Sequence, residues 1–217
     1  MDIGVLTVVT AVLAVLAVRA IVSAVRKRHL LDGGALRTWW AVLVVIATLV
    51  AGGFEAAHHW RQAIVTDAMA AVTDNPRARA DCARFSEELF NARAFDGYVW
   101  QDASDVAHYM HGVCQDVAAY ARSAKLDPPL EQVAAVVLVA HETMHVERVW
   151  NEAEAECRAV QLSHLVAMRL GANEAQARAL QARYFAEIYP KLREGYTSRE
   201  CREGGAYDIF PERAEFP

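Results

Sequence analysis

The sequence predicts a mainly α-helical protein: an N-terminal two-helix transmembrane hairpin followed by an extracytoplasmic domain that is all-helical or nearly so. Three observations carry this expectation. The 217 residues are 54% hydrophobic, and the excess is concentrated in two apolar runs near the start. The segment joining those runs is basic. The remainder shows helical spacing and helix-start signals, with little strand potential between residues 55 and 130.

The first run, Ile3 to Val18, carries no charge and resumes after Arg19 as "AIVSAV". The second spans Trp39 to Phe54 and can continue as helix through Glu55–Trp60 at headgroup level. Each approaches the ~20 residues that a helix needs to cross a ~30 Å hydrocarbon core. A pair of buried core helices is the alternative, but two such runs side by side with a basic joint favour a hairpin in the lipid bilayer. Spans are expected at 3–25 and 38–54, joined by loop 26–37. That loop holds Arg26, Lys27, Arg28 and Arg37, while the tail before the first span has no Lys or Arg. Positive charge stays cytoplasmic, so the loop is expected inside and both termini outside, in a multi-pass cell-membrane protein. A cleaved signal peptide would carry its basic residues before the apolar run, not after it. The chain therefore divides into 1–54, the hairpin, and 55–217, the outer domain.

All four cysteines, Cys82, Cys114, Cys157 and Cys201, fall in the outer domain. An even number on an oxidising side implies two disulfides, and sequence proximity favours Cys82–Cys114 and Cys157–Cys201. Four reduced core cysteines are the alternative. The outer domain is acidic on balance, which suits no nucleic acid, because phosphate recognition needs clustered Lys and Arg.

Within the outer domain, "TDNP" breaks the helix that leaves the membrane, and Pro76 suits the first turn of a new one. Cys82, Phe85, Leu89 and Phe90 share a face of that helix. "FDGYVW" is a candidate extended piece. A helix is expected over Ser104–Ala124, with Val106, Tyr109, Met110, Val113 and Val117 inward. "DPP" at 127–129 ends it and starts "LEQVAAVVLVAHETMHV", apolar nearly all round and so central. Asn151, with Glu154 three residues on, opens the next helix. It runs to Leu170, with Gly171 at C′. "NEAQ" at 173–176 repeats the capping pattern for a last helix reaching Tyr189, and Cys201 can tie down the tail.

His141 and His145 are spaced i, i+4, so both lie on one helix face and can reach one ion. Glu142 sits where a general base can meet a water that the ion activates; this is the H-E-x-x-H pattern. Two histidines and a water leave tetrahedral zinc one ligand short. Glu152 is the third candidate: on an unbroken helix it would lie too far along the axis, but a turn within "VERVWN" before the Asn151 cap swings it back. Glu156, one turn later, can accept a hydrogen bond from a ligand histidine and fix its orientation.

"HETMH" followed by "NEAEAE" resembles the gluzincin metallopeptidases, in which an H-E-x-x-H helix is followed by a helix opening with Asn-Glu and carrying an acid four residues after that Glu. The resemblance covers about 17 residues and implies a zincin-like domain. It maps the ligand set to His141, His145 and Glu152, the base to Glu142 and the supporting acid to Glu156. It implies Zn2+ as cofactor and a peptide or protein as substrate. The family's segment between the motifs is usually longer, so this would be a compact version. The family also places a β-sheet before the motif helix, with an edge strand lining the substrate.

Blander readings stand beside these. The histidines can be satisfied core residues, Glu152 and Glu154 can complement the dipole of a helix start, and Glu156 can be a surface acid. A non-catalytic zinc-stabilised scaffold or binding module keeps the metal without chemistry. A di-iron bundle would use the Glu-x-x-His pairs at 55–58 and 142–145. The "HHW" at 58–60 reads first as a membrane exit with Trp60 as interface anchor. "HYMH" at 108–111 has weaker claims on the site. Tyr184, Tyr189, Tyr196 and His164 are candidates for stabilising an oxyanion, none of them assignable.

Overall fold

A computed structural model describes residues 4–26, 34–84, 96–213 and 216–217. The chain forms two compact units, Met1–Trp60 and Arg61–Pro217. Most of the loop expected at 26–37, and Phe85, Leu89 and Phe90, lie outside the described residues.

The first unit holds α1, Val5–Arg26, and most of α2, Gly34–Met69. Both are long and apolar enough to cross a bilayer. A core helix of a soluble protein hides its apolar side chains. Here only 6% of the most apolar stretch of α1 and 17% of that of α2 is buried, as lipid contact requires. Their small residues allow close approach: a Cβ added at Gly52 would stand 3.8 Å from the Thr10 methyl. Thr7 donates a short hydrogen bond to Glu55, which also faces His59 at 3.2 Å. His59 is thus paired within α2, and neither it nor His58 belongs to the metal cluster found among the described residues.

The second unit is mainly helical with a small sheet. Val65, Ala68 and Met69, in the last turns of α2, are fully buried. Beside them lies a three-stranded sheet: β1, Arg79–Cys82; β2, Gly97–Val99; β3, Val106–Tyr109. The order is β1-β3-β2, with β1 parallel and β2 antiparallel to β3. Ala80, Cys82, Ala107 and Tyr109 alternate inward. The near-absence of strands expected from sequence is therefore corrected. Pro76 lies in a turn, not a helix start, and residues 106–109 of the expected 104–124 helix are strand. The reason is non-local: short segments of weak propensity are held by neighbours and burial rather than by intrinsic preference. The "FDGYVW" expectation is met by β2.

The sheet also absorbs one of the spare histidines. Asp81, His108 and Tyr98 stand in register across the three strands. His108 Nδ1 lies 2.9 Å from Asp81, and its ring stacks on Tyr98 at 4.7 Å. This is cross-strand pairing of the ordinary kind.

Four helices follow: α3, His111–Arg122; α4, Leu130–Val146; α5, Glu152–Arg169; α6, Glu174–Glu187. α4 is central, with Val133, Val136, Val137, Val139 and Ala140 all buried. Asn151 caps α5 by accepting from the Glu154 amide at 3.0 Å. Asn173 and Gln176 form a reciprocal capping box on α6. Gly171 ends α5 with φ +93°, a left-handed conformation that glycine adopts without Cβ strain.

Both disulfides form, Cys82–Cys114 and Cys157–Cys201. The second ties the C-terminal tail to α5, where the Gln161 side chain donates to the Tyr207 carbonyl and accepts from the Ile209 amide. It spans 44 residues of sequence, a loop whose closure constrains the unfolded chain by about 4 kcal/mol. Cys157→Ser with Cys201→Ser is expected to lower Tm by roughly 10 °C, measured by thermal unfolding of the full chain in detergent. An unchanged Tm would remove this tie from the account of stability.

Candidate metal centre

The reversal that builds the site begins at Val146. The Arg148 amide bonds to His145 O at 2.9 Å and the Val149 amide to Met144 O at 2.9 Å. These two bonds are the signature of a Schellman stop. Arg148 takes the left-handed position with φ +65°, although no glycine stands there. The chain turns back within six residues, and the Asn151 cap starts α5 alongside α4.

This reversal brings Glu152 to both histidines. Glu152 Oε2 lies 3.2 Å from His141 Nε2 and 3.4 Å from His145 Nε2. One ligand atom from each of the three residues falls within 4.8 Å of the others. Each imidazole is held from behind. His141 Nδ1 lies 2.8 Å from Glu156 Oε2, and His145 Nδ1 lies 2.8 Å from the Val149 carbonyl. With Nδ1 engaged on both rings, both Nε2 atoms are turned to the same point. Glu156 is fixed in turn by the Tyr184 hydroxyl, which donates to its Oε1 at 2.6 Å. Tyr196 stacks on His141 and Trp150 on His145, each with centroids 5.7 Å apart.

The residues fit a tetrahedral ion by an observation independent of the motif. Glu152 Oε2 is a buried oxygen with no donor in hydrogen-bond geometry, yet two ring nitrogens point at it. Bonds of ~2.0–2.1 Å in a tetrahedron place ligand atoms about 3.3–3.4 Å apart, and the two separations here are 3.2 and 3.4 Å. The donor chemistry, two imidazoles and a carboxylate, is that of zinc sites with an open fourth position.

The electrostatics match. Burial alone would lower the basicity of His141, but the facing carboxylates Glu152 and Glu156, 3.2 and 2.8 Å from its ring nitrogens, overcome it and raise its pKa to about 10. Contact with the two imidazoles holds Glu152 well below the usual carboxylate range. A site that draws protons to ring nitrogens draws a divalent cation by the same field, and binding the cation releases the protons.

Glu142 is 3% exposed, and burial pushes its carboxyl up to about 7, against the opposing pull of both imidazoles. Its buried Oε2 has no hydrogen-bond partner, and the residue lines a cleft that also borders His141 and Glu156. Behind it stands the edge strand. A Cβ at Gly97 would come within 2.7 Å of Glu142 Oε1 and 2.9 Å of its Cγ, so β2 can approach this side chain only as glycine.

Of the oxyanion candidates, His164 is buried against the Gln161 carbonyl and Gln181, and Tyr189 accepts from the Ser198 amide. Tyr184 is committed to Glu156. Tyr196 remains on the cleft, its hydroxyl 2.8 Å from an Arg193 donor. Glu154 pairs with Arg158 on the helix surface. Gly97 and Trp150 were not singled out from sequence. "FDGYVW" signals an extended piece at Gly97, but no local signal says which helix residue it touches. Compared with protein-family models, curated proteins and solved structures, the chain matches none.

Proposed function

We propose that the protein is a membrane-anchored, zinc-dependent metallopeptidase of gluzincin type, its hairpin in the lipid bilayer and its site on the extracytoplasmic side. The single observation that carries this reading is the convergence of Glu152 Oε2 on the Nε2 atoms of His141 and His145, beside a buried Glu142 that lines a cleft and keeps an unpartnered oxygen. His141, His145 and Glu152 would hold Zn2+, which as a Lewis acid polarises a scissile carbonyl and lowers the pKa of water to about 7. Glu142 takes the proton of the attacking water and returns it to the amine leaving group. Tyr196, with Arg193 beside it, is the polar group on the cleft that can meet charge developing on the carbonyl oxygen. The edge strand β2 against Glu142 supports the resemblance, since the family lines its substrate with such a strand. Two disulfides in the second unit fit an oxidising compartment.

The test is stoichiometry and dependence. The full chain in detergent is expected to hold one zinc per molecule and to cleave unstructured protein substrates. Chelation should stop cleavage, and added zinc should restore it. Zinc retained without cleavage of any substrate would favour a non-catalytic zinc-stabilised scaffold.

Gly97 provides a second test. Gly97→Ala drives a methyl into Glu142, and a displacement near 1 Å costs on the order of 100-fold in turnover. Zinc content is expected to stay at one per chain. A Gly97→Ala protein that turns over at the wild-type rate would show that the position of Glu142 does not matter.

A further inference from the structure

The cleft that opens on Glu142 extends well past it. Its volume is about 680 Å³, within the ~300–1,000 Å³ of ligand-binding sites. Its floor is α4, where Glu131, Ala134, Leu138 and Glu142 follow one another at roughly one-turn intervals. From Glu131 to Glu142 the helix advances about 16 Å at ~1.5 Å per residue. That matches about five residues of extended chain at ~3.3 Å each.

One wall is α3, contributing Gly112, Val113 and Asp116; the other is the segment after α6, contributing Ile188, Lys191, Leu192 and Arg193. Val113, Ala134, Leu138, Ile188 and Leu192 make much of the lining apolar, and there is room: a Cβ at Gly112 would meet nothing within 4 Å. The far end is acidic. Asp116 and Glu131 both line it, and burial together with the Glu131 charge raises the Asp116 carboxyl above its ordinary value. Among the described residues neither acid has an ion-pair partner, although Lys191 borders the same cleft. At the near end, Glu142 lines the same space, and its buried Oε2 has no hydrogen-bond partner. A largely apolar trough between a reactive end and two acids without an ion-pair partner is complementary to a chain with an apolar side chain in the middle and positive charge at one end.

We propose that this cleft seats an extended peptide segment of about five residues, with a bulky apolar side chain between Ala134, Leu138 and Gly112 and a cationic group against Asp116 and Glu131. The cation is a Lys or Arg side chain, or a free amino terminus. This rests on the peptidase reading of the metal centre and names the substrate class of that same site.

The experiment reads binding, not turnover. Fluorescein-labelled hexapeptides, each with one Phe, are titrated into the full-length Glu142→Gln protein in detergent and followed by anisotropy. One set is blocked at both ends and carries a Lys moved through successive positions. A second replaces Lys by norleucine, and a third is the norleucine set with a free amino terminus. The best cationic peptide is expected to bind about fivefold tighter than its neutral counterpart, the scale of two partly exposed ion pairs. Whether that peptide comes from the first or third set identifies the source of the charge. Asp116→Asn with Glu131→Gln should erase the preference and leave neutral peptides bound as before. Gly112→Phe should weaken every peptide at least tenfold. The inference is overturned if no peptide binds, if the acid-to-amide protein keeps the preference, or if Gly112→Phe binds like its parent. Cleavage by the wild-type chain is scored separately. Binding as expected without cleavage would retire the peptidase and keep the peptide cleft, while cleavage without charge preference would do the reverse.

Discussion

Glu152→Ala is expected to abolish stoichiometric zinc binding while leaving the fold intact. The carboxylate is the only one of the three converging groups that does not come from α4, and its side chain is 42% exposed, so its removal opens no core cavity. Asn151 still caps α5 through the Glu154 amide. The loss of one acid from the first turn costs ~0.3–1 kcal/mol of dipole complementation. The loss for the metal is far larger. Structural zinc binds with ~10–16 kcal/mol spread over four ligands, so deleting one should weaken affinity by on the order of 100- to 1,000-fold. Competition against a chelating dye measures this directly. Wild-type affinity in the Glu152→Ala protein would mean that the two histidines hold their ion with some other group, and the centre would have to be redrawn.

Glu142→Gln should separate binding from chemistry. Glutamine fills the same volume and keeps a polar group against Gly97, but it cannot accept the proton of an attacking water. The expected outcome is a fall in turnover of about 10²- to 10⁴-fold with zinc still at one per chain. Stability should hold or rise. Burial has pushed this carboxyl up to about 7, so the ionised form is disfavoured by its surroundings, and a neutral amide avoids that desolvation cost. Comparing the turnover, zinc content and Tm of the wild-type and Glu142→Gln proteins decides it. Equal turnover would remove Glu142 from the mechanism even if zinc is present.

These two variants also contrast positions that were legible to different degrees. The helix carrying His141 and His145, the Asn151 and Asn173 caps, and the Gly171 stop are read from short stretches whose meaning is local: a side chain meets a backbone group three or four residues away. The two apolar helices are legible for a related reason, since length and composition suffice to recognise a segment that can live in lipid. The disulfide pairs agree with the simplest choice, the nearest partner in sequence.

The sheet was not legible. β1 reads "RADC", with no strand preference, and β3 "VAHY", too short for its Val and Tyr to mark a strand alone. They are strands because they pair with each other in parallel across a long stretch of chain, next to a buried α2 terminus. The same holds for the surroundings of the metal centre. Gly97 against Glu142, Tyr184 on Glu156 and Tyr196 over His141 join residues 45, 28 and 55 positions apart. The sharp turn at Arg148 is taken by a residue that by itself avoids φ +65°. By itself, then, the sequence determined the two apolar helices, α4 to α6 with their caps and stops, the two imidazoles on one face and Glu152 as their third partner, because composition, periodicity and hydrogen bonding over a few residues decide those. Only the tertiary structure decided that a glycine strand stands behind the buried acid and that a cleft runs from it, because those depend on packing between elements that no local pattern encodes.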